Sequence, residues 1–187
     1  MKWMIASDLH GSALYTRLLL QRFREERADR LLLLGDLLYH GPRNDLPEEY
    51  APKEVITLLN GVSGRLLCVR GNCDAEVDQM VLRFPIGADY AVAELNGRLL
   101  YATHGHIYGE EHLPSLCPGD ILLQGHTHVP RCAVREGVLC LNPGSVSLPK
   151  EESPHSYMTL EEEAFYWKNL TDGAVWQHCD PSVGMSD

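Results

Sequence analysis

Short apolar runs, each stopping abruptly at a polar cluster, set the rhythm of this sequence. Residues 3–6 (Trp-Met-Ile-Ala) predict a buried strand that breaks at Asp8. Leu14, Leu18, Leu19 and Phe23 recur at helical spacing with charges between them, which predicts an amphipathic helix over residues 14–27. Gly11 allows the turn into that helix, and Ser12 is placed to cap it. Residues 30–34 form a second apolar run, closed by Gly35-Asp36, and the Pro-, Gly-, Asn- and Asp-rich stretch 39–52 predicts a long loop. A helix over 52–60 follows, and then a third strand over 66–69 that ends in Arg70-Gly71-Asn72-Cys73-Asp74. Strands alternating with helices imply parallel pairing through helical crossovers.

The pattern changes after about residue 86. Residues 90–94 and 98–103 flank Asn96-Gly97, a hairpin signal, and the second of these strands ends in His104-Gly105-His106. Residues 120–124 are another apolar strand, ending in Gly125-His126-Thr127-His128. A further hairpin over 133–141 turns at Glu136-Gly137 and closes on Asn142-Pro143-Gly144-Ser145. Residues 156–160 and 164–169 predict a last strand pair around the acidic turn 161–163. Beyond Asp172 the pattern assigns no element, and 171–187 is expected to be a loosely attached tail on a single domain spanning 1–187.

Composition narrows the class. A chain of 187 residues with 44% hydrophobic content and a mean hydropathy of −0.19 suits one well-cored domain. The net charge of −10 argues against indiscriminate binding to nucleic acid or anionic membrane. Two bound divalent cations would soften that conclusion locally. Six cysteines without a C-x-x-C pair or a signal peptide predict reduced thiols and a cytoplasmic protein. No segment approaches a transmembrane length.

Five apolar strands therefore end in polar clusters: Asp8/His10, Asp36, Asn72, His104/His106 and His126/His128. In an extended segment residues i and i+2 point the same way, so Asp8 and His10 are expected to project together, a carboxylate beside an imidazole, as a divalent metal requires. Ligands bind outside the carboxyl ends of strands in α/β sheets, so the five clusters should converge. Taken singly each has a plain alternative. Asp36 suits a turn cap, Asn72 beside glycine suits a turn, and the histidine pairs could be solvated. His40, His112, His155 and His178 show no comparable placement and are expected at the surface, with His40 in the loop after Asp36 keeping a minor claim on the pocket.

Asp8-x-His10, Gly35-Asp36, Gly71-Asn72, His104 and Gly125-His126-x-His128, in this order, resemble the signature of the calcineurin-like metallophosphoesterase superfamily. Residues 41–44, 70–74 and 142–145 are similar to its small bacterial phosphodiesterase branch. The resemblance implies a four-layer α-β-β-α sandwich of two mixed sheets flanked by helices, and two metal ions. Asp8, His10, Asp36 and His128 would hold the first, and Asp36, Asn72, His104 and His126 the second, with Asp36 bridging. Oxygen and nitrogen ligands favour Mn²⁺, Fe, Co²⁺, Ni²⁺ or Zn²⁺, and similarity to the bacterial branch tilts the choice to Mn²⁺.

The implied reaction is hydrolysis of a small phosphodiester by in-line attack of a metal-bridging water or hydroxide, with Asp36, Asn72, Cys73 and His104 at the reacting centre. A phosphomonoesterase or nuclease on the same site is the alternative, and a non-catalytic scaffold a more distant one. The resemblance also implies a homodimer or homotetramer. One position departs from the family pattern. Where the family has Gly-Asn-His, this chain has Gly71-Asn72-Cys73, which leaves the leaving-group acid without its histidine.

Overall fold

The computed structural model describes residues 1–181. Eleven strands form two mixed sheets. In the first, β1 (Trp3–Ala6), β2 (Arg30–Leu33) and β3 (Leu66–Cys68) run parallel, and β9 (Ser156–Glu161), β10 (Ala164–Asn169) and β11 (Val175–Cys179) continue antiparallel in the order β11-β10-β9-β1-β2-β3. In the second, of order β4-β5-β6-β8-β7, the parallel strands β5 (Arg98–Thr103), β6 (Ile121–Leu123) and β8 (Val138–Asn142) lie between β4 (Tyr90–Leu95) and β7 (Arg131–Arg135). The core between the sheets is built from alternate residues of both: Ile5 and Leu32 from one, Leu100, Leu123, Leu139 and Leu141 from the other, with Phe165 and Trp167.

Helices α1 (Ala13–Glu25) and α2 (Pro52–Asn60) cover the outer face of the first sheet. Ser12 caps α1, its Oγ accepting from the Tyr15 amide at 3.3 Å. The buried stripe of α1 is Ala13, Thr16, Leu19, Leu20 and Phe23, rotated from the expected one so that Leu14 and Leu18 lie at its margin. Full burial of Leu19 or Phe23 contributes roughly 1.5–3 kcal/mol each. The outer face of the second sheet is covered by the irregular stretch 105–119, whose Leu113 and Leu116 pack on Tyr101, Leu122, Val138 and Cys140.

The hairpin expectations hold for a backbone reason. Asn96-Gly97 and Glu136-Gly137 both have φ between +51° and +79°, the paired left-handed conformation that matches strand twist. Three elements lay outside the pattern: a 3₁₀ turn over Ser63–Arg65, the four-residue helix α3 (Glu76–Gln79), and β11, which pairs with β10 inside the stretch expected to be a loose tail. Residues 182–187 of that stretch lie outside the described residues. No helix of the described residues is long and apolar enough to cross a membrane.

Candidate metal centre

The loops that follow β1, β2, β3, β5 and β6 meet at one end of the sandwich, three from one sheet and two from the other. Five of the seven expected ligands have left-handed backbone: Asp8 (φ 61°), His10 (46°), Asp36 (56°), His126 (66°) and His128 (63°). Such conformations are costly for residues with a Cβ and collect at functional sites. They also correct the expected geometry at Asp8 and His10. β1 stops at Ala6, so these two side chains are brought together by a bent loop and not by extended i,i+2 alternation.

Asp8, His10 and His128 form one group, buried, with ligand atoms mutually within 4.8 Å; Asp8, Asp36 and His104 form a second, and His10, Asp36 and Cys73 a third. His10 Nδ1 lies 2.9 Å from the Tyr39 carbonyl and His128 Nδ1 2.6 Å from the Leu148 carbonyl. A carbonyl only accepts, so both Nδ1 atoms carry hydrogen, and each ring turns Nε2 inward as the atom free to ligate. The two Nε2 atoms face each other at 3.1 Å. Beside them Asp8 Oδ1 is buried without a hydrogen bond.

The second cluster repeats this chemistry. His104 Nδ1 donates to the Leu34 carbonyl at 2.6 Å, which turns Nε2 inward, facing Asn72 Oδ1 at 3.1 Å and His126 Nδ1 at 3.2 Å. Asn72 turns its amide nitrogen away, toward Cys73 Sγ at 3.2 Å. Once the rings are deprotonated, nitrogen and oxygen lone pairs face one another in buried space, an arrangement that a cation standing among them relieves. The donor set therefore fits divalent metal, and the common second partners on Nδ1 are those that orient metal-binding imidazoles.

Asp36 links the two clusters. Its Oδ1 accepts from the Cys73 amide at 2.8 Å, and its Oδ2 lies 3.7 Å from His10 Nε2 and 3.4 Å from His104 Nε2. Burial opposes the charge on Asp8 and Asp36, yet imidazole contacts prevail. His10 and His128 hold Asp8 well below the usual carboxylate range, and His104 lowers Asp36. Burial also pushes His104 down, but contact with Asp36 and the field of Asp8 outweigh it and raise that ring to about 9. His126, desolvated and beside a cationic His104, falls to about 4. Burial, then the nearby Asp36, lifts the Cys73 thiol to about 12.

His106 sits at the edge of this group, its ring centre 5.4 Å from that of His104, with its Nδ1 buried and unpaired. His40 packs edge-on against Tyr39 and Tyr50. His112 and His178 stack on Tyr108 and Tyr166. His155 is half-buried, stacked on Tyr15 with Nδ1 on the Val146 carbonyl, so it is structural and not a free surface ring.

Sequence reasoning passed over the groups that hold the loops. Buried Asp74 accepts from the amides of Asp36, Leu37 and Gly71, each at 2.8 Å, and so ties the loop after β2 to the loop after β3. Ser145 and Ser147 both donate their hydroxyls to the Asp8 carbonyl, at 3.0 and 2.9 Å. Asn142 donates to the Gly125 carbonyl at 2.8 Å. Their positions in 70–74 and 142–147 were legible, but nothing in residue type alone distinguishes a loop clamp from a turn residue. The cavity at the centre, about 270 Å³, is lined by Asp36, Asn72, Cys73, His126 and His128 together with residues 41–44 and Lys150.

Comparison with known proteins identifies the family and the fold. The family profile described as the calcineurin-like phosphoesterase superfamily domain matches residues 1–164. Phosphodiesterase YfcE of Escherichia coli strain K12 is 47% identical over 175 residues, covering 94% of this chain and 95% of that protein. The solved structure of the Escherichia coli phosphoesterase Yfce superposes with a TM-score of 0.92 at 46% identity, over 96% of this chain and 99% of that one. Wild-type Vps29 from Entamoeba histolytica, solved in complex with Zn²⁺, shares the fold at a TM-score of 0.61 and 21% identity, over 97% and 99% of the two chains.

Proposed function

The chain belongs to the calcineurin-like phosphoesterase superfamily, and from that premise we propose that it is a metal-dependent phosphodiesterase acting on small phosphodiesters. The observation that carries the reading is the pair of buried carboxylate and imidazole clusters joined by Asp36. Asp8, His10, Asp36 and His128 would hold one divalent ion, and Asp36, Asn72, His104 and His126 the other. When bound, the two ions would supply a water deprotonated near neutral pH and neutralise the phosphate oxygens of an in-line displacement.

The chain's own residues do the rest. Tyr39, Leu148 and Leu34 carbonyls fix the tautomers of His10, His128 and His104, so no imidazole has to reorient during turnover. Asp74 holds the Asp36 and Cys73 loops at fixed spacing, which preorganises the reacting centre. The Cys73 thiol stays protonated and uncharged, so it presents a weak donor where the family pattern has histidine. Similarity to the bacterial branch supports Mn²⁺ as the native ion and a homodimer or homotetramer. Six free cysteines support a reducing, cytoplasmic setting, and the net charge of −10 disfavours polymeric nucleic acid as substrate. The reading takes residues 1–187 as one catalytic domain.

The test is metal analysis of the purified protein together with hydrolysis of bis(p-nitrophenyl) phosphate with added Mn²⁺. Up to two ions per chain and metal-dependent turnover are expected. Activity that survives full chelation would show the mechanism to be wrong.

A further inference from the structure

We propose that the substrate carries a second anionic group, a phosphate on the arm that stays with the scissile phosphorus, and that Arg43 and Lys150 bind it. The inference rests on the phosphodiesterase reading and adds the substrate class. Both residues line the cavity that opens on Asp36, Asn72 and Cys73, Arg43 from the loop after β2 and Lys150 from the loop after β8. Both are exposed, and among the described residues neither side chain has a hydrogen-bond or ion-pair partner. Other exposed cations such as Lys53 are unpaired too, but Arg43 and Lys150 are the two lysine or arginine residues that line this cavity.

Their backbones are held in place. Asn44 Nδ2 donates to the His40 carbonyl at 2.8 Å, and the His40 ring lies between Tyr39 and Tyr50, which shapes the loop that carries Arg43. The Lys150 amide donates to the carbonyl of His128 at 3.3 Å, and the Ser153 hydroxyl donates to the Lys150 carbonyl at 2.6 Å. Each cation thus stands on a loop fixed to the metal-binding shell.

Charge balance says what they are for. Asp8 and Asp36 give two negative charges against two divalent ions, and a hydroxide nucleophile with a phosphodiester monoanion brings the centre to neutrality. Arg43 and Lys150 then add two positive charges at the cavity wall, offset in part by buried Asp74 behind the Asp36 loop. A phosphate monoester, with a charge of roughly −1.5 to −2 near pH 7 and three acceptor oxygens, complements those two cations. The cavity, about 270 Å³, is open to solvent, so a nucleoside arm bearing the second phosphate can extend past it.

The experiment compares two chromogenic diesters on the Mn²⁺-loaded enzyme: the p-nitrophenyl ester of thymidine 5′-phosphate, and the same ester bearing a 3′-phosphate. The 3′-phosphorylated ester should have the higher kcat/KM, mainly through KM, and the preference should shrink as salt is raised. Arg43→Gln and Lys150→Gln should each reduce the preference about tenfold, the loss expected for one charged hydrogen bond. Lys53→Gln, which removes an exposed charge on α2, should leave it unchanged. Calorimetry gives a readout independent of turnover: thymidine 3′,5′-bisphosphate should bind more tightly than thymidine 5′-phosphate, and the same two variants should erase the difference. If both esters are cleaved with equal efficiency, or the two variants keep the preference, the second-phosphate site is wrong and the diesterase reading stands. If neither ester is cleaved but the bisphosphate binding difference is present, the diesterase reading fails and the anion site remains.

Discussion

Gly71 leaves the space that the Asp36 carboxylate occupies. A Cβ at residue 71 would lie 2.0 Å from Asp36 Oδ1 and 2.4 Å from the Asp36 amide nitrogen. The two residues cannot drift apart to relieve such a clash, because both amides donate to the same oxygen of Asp74 at 2.8 Å. Gly71→Ala should therefore displace the carboxylate that serves both clusters. We expect bound metal to fall below one ion per chain and kcat/KM to drop by roughly 100-fold, as misplacement by about 1 Å can do. Metal analysis after dialysis, beside a melting curve of the chelated protein, separates this from misfolding. Full metal occupancy in the variant would contradict the bridging role of Asp36.

Removing charge at Asp36 tests the same point without crowding. Asp36→Asn should lower the affinity for both ions, whereas Asp8→Asn, whose Oδ1 lies nearest the His10 and His128 rings, should lower chiefly one. The two paired histidines should also separate. His126→Ala removes an inward lone pair 3.2 Å from His104 and should cut activity by more than about 100-fold with loss of metal. His106→Ala should keep metal content near normal. Stoichiometry from metal titration is the measurement, and equal loss at positions 106 and 126 would reverse the assignment.

The pH dependence of metal binding has a definite sign. In the metal-free protein His104 is protonated below about 9, so its Nε2 holds a proton where an ion is to bind. Metal affinity should rise about tenfold per pH unit from pH 7 and level off near 9, with close to one proton released per chain at pH 7. Stability of the chelated protein should move the other way. The folded value of His104 lies above its unfolded value of about 6.5, so the stability it contributes is complete below 6.5 and fades as pH rises toward 9. Calorimetry in buffers of different ionisation enthalpy counts the protons, and urea unfolding of the chelated protein gives the opposing slope.

Away from the centre, the carboxylate of Glu26 is the partner of Lys168, which is only 7% exposed in the first sheet. It also accepts from Tyr157 at 2.8 Å and pairs with Lys2. Glu26→Gln would leave the buried Lys168 ammonium with only the more distant Glu161 carboxylate at 3.7 Å and should destabilise by roughly 3 kcal/mol, at the low end for breaking a buried pair. Its pKa is lowered in the fold, burial opposing and Lys168 prevailing, so this contribution is present above an unfolded value near 4.3 and lost as pH falls through the folded one. Urea unfolding of both proteins at pH 7 and pH 4 checks it: the difference should shrink at the lower pH.

What was legible in the sequence follows from how locally each feature is determined. The strands leading to the site are short apolar runs, and the polar residues after them have to face one another whatever the exact loop path. That is why Asp8 and His10 meet even though their backbone is left-handed and not extended. β11 escaped because it is an edge strand: Val175 and Trp176 are exposed, so no alternation marks it. α3 is one turn long and carries no apolar stripe. Asp74, Ser145 and Ser147 act on backbone groups distant in sequence, and only the folded chain shows which amides and carbonyls they reach. Lys150 was silent for the same reason, since its neighbour in space is His128.

Cys73 should limit which leaving groups the enzyme expels. Its amide donates to Asp36 Oδ1, so the side chain starts beside the bridging carboxylate and lines the cavity. The thiol is pushed up to about 12, by burial first and by Asp36 next, so at neutral pH it has neither a positive charge nor a proton it readily gives. A nitrophenolate leaves as a stable anion and needs no proton. A ribose alkoxide is a far stronger base, and a positioned acid there accelerates departure by roughly 10²–10⁴-fold. Histidine, with an ordinary pKa of about 6.5, would be partly protonated at neutral pH and could donate. The ring needs more room than the thiol, and the exposed neighbour Asn72 and the open cavity provide it. Cys73→His should therefore raise turnover of a nucleoside cyclic phosphate relative to bis(p-nitrophenyl) phosphate by at least tenfold, with metal content unchanged. A constant ratio in a variant that keeps both ions would mean that Cys73 only packs beside the centre and that proton donation comes from elsewhere.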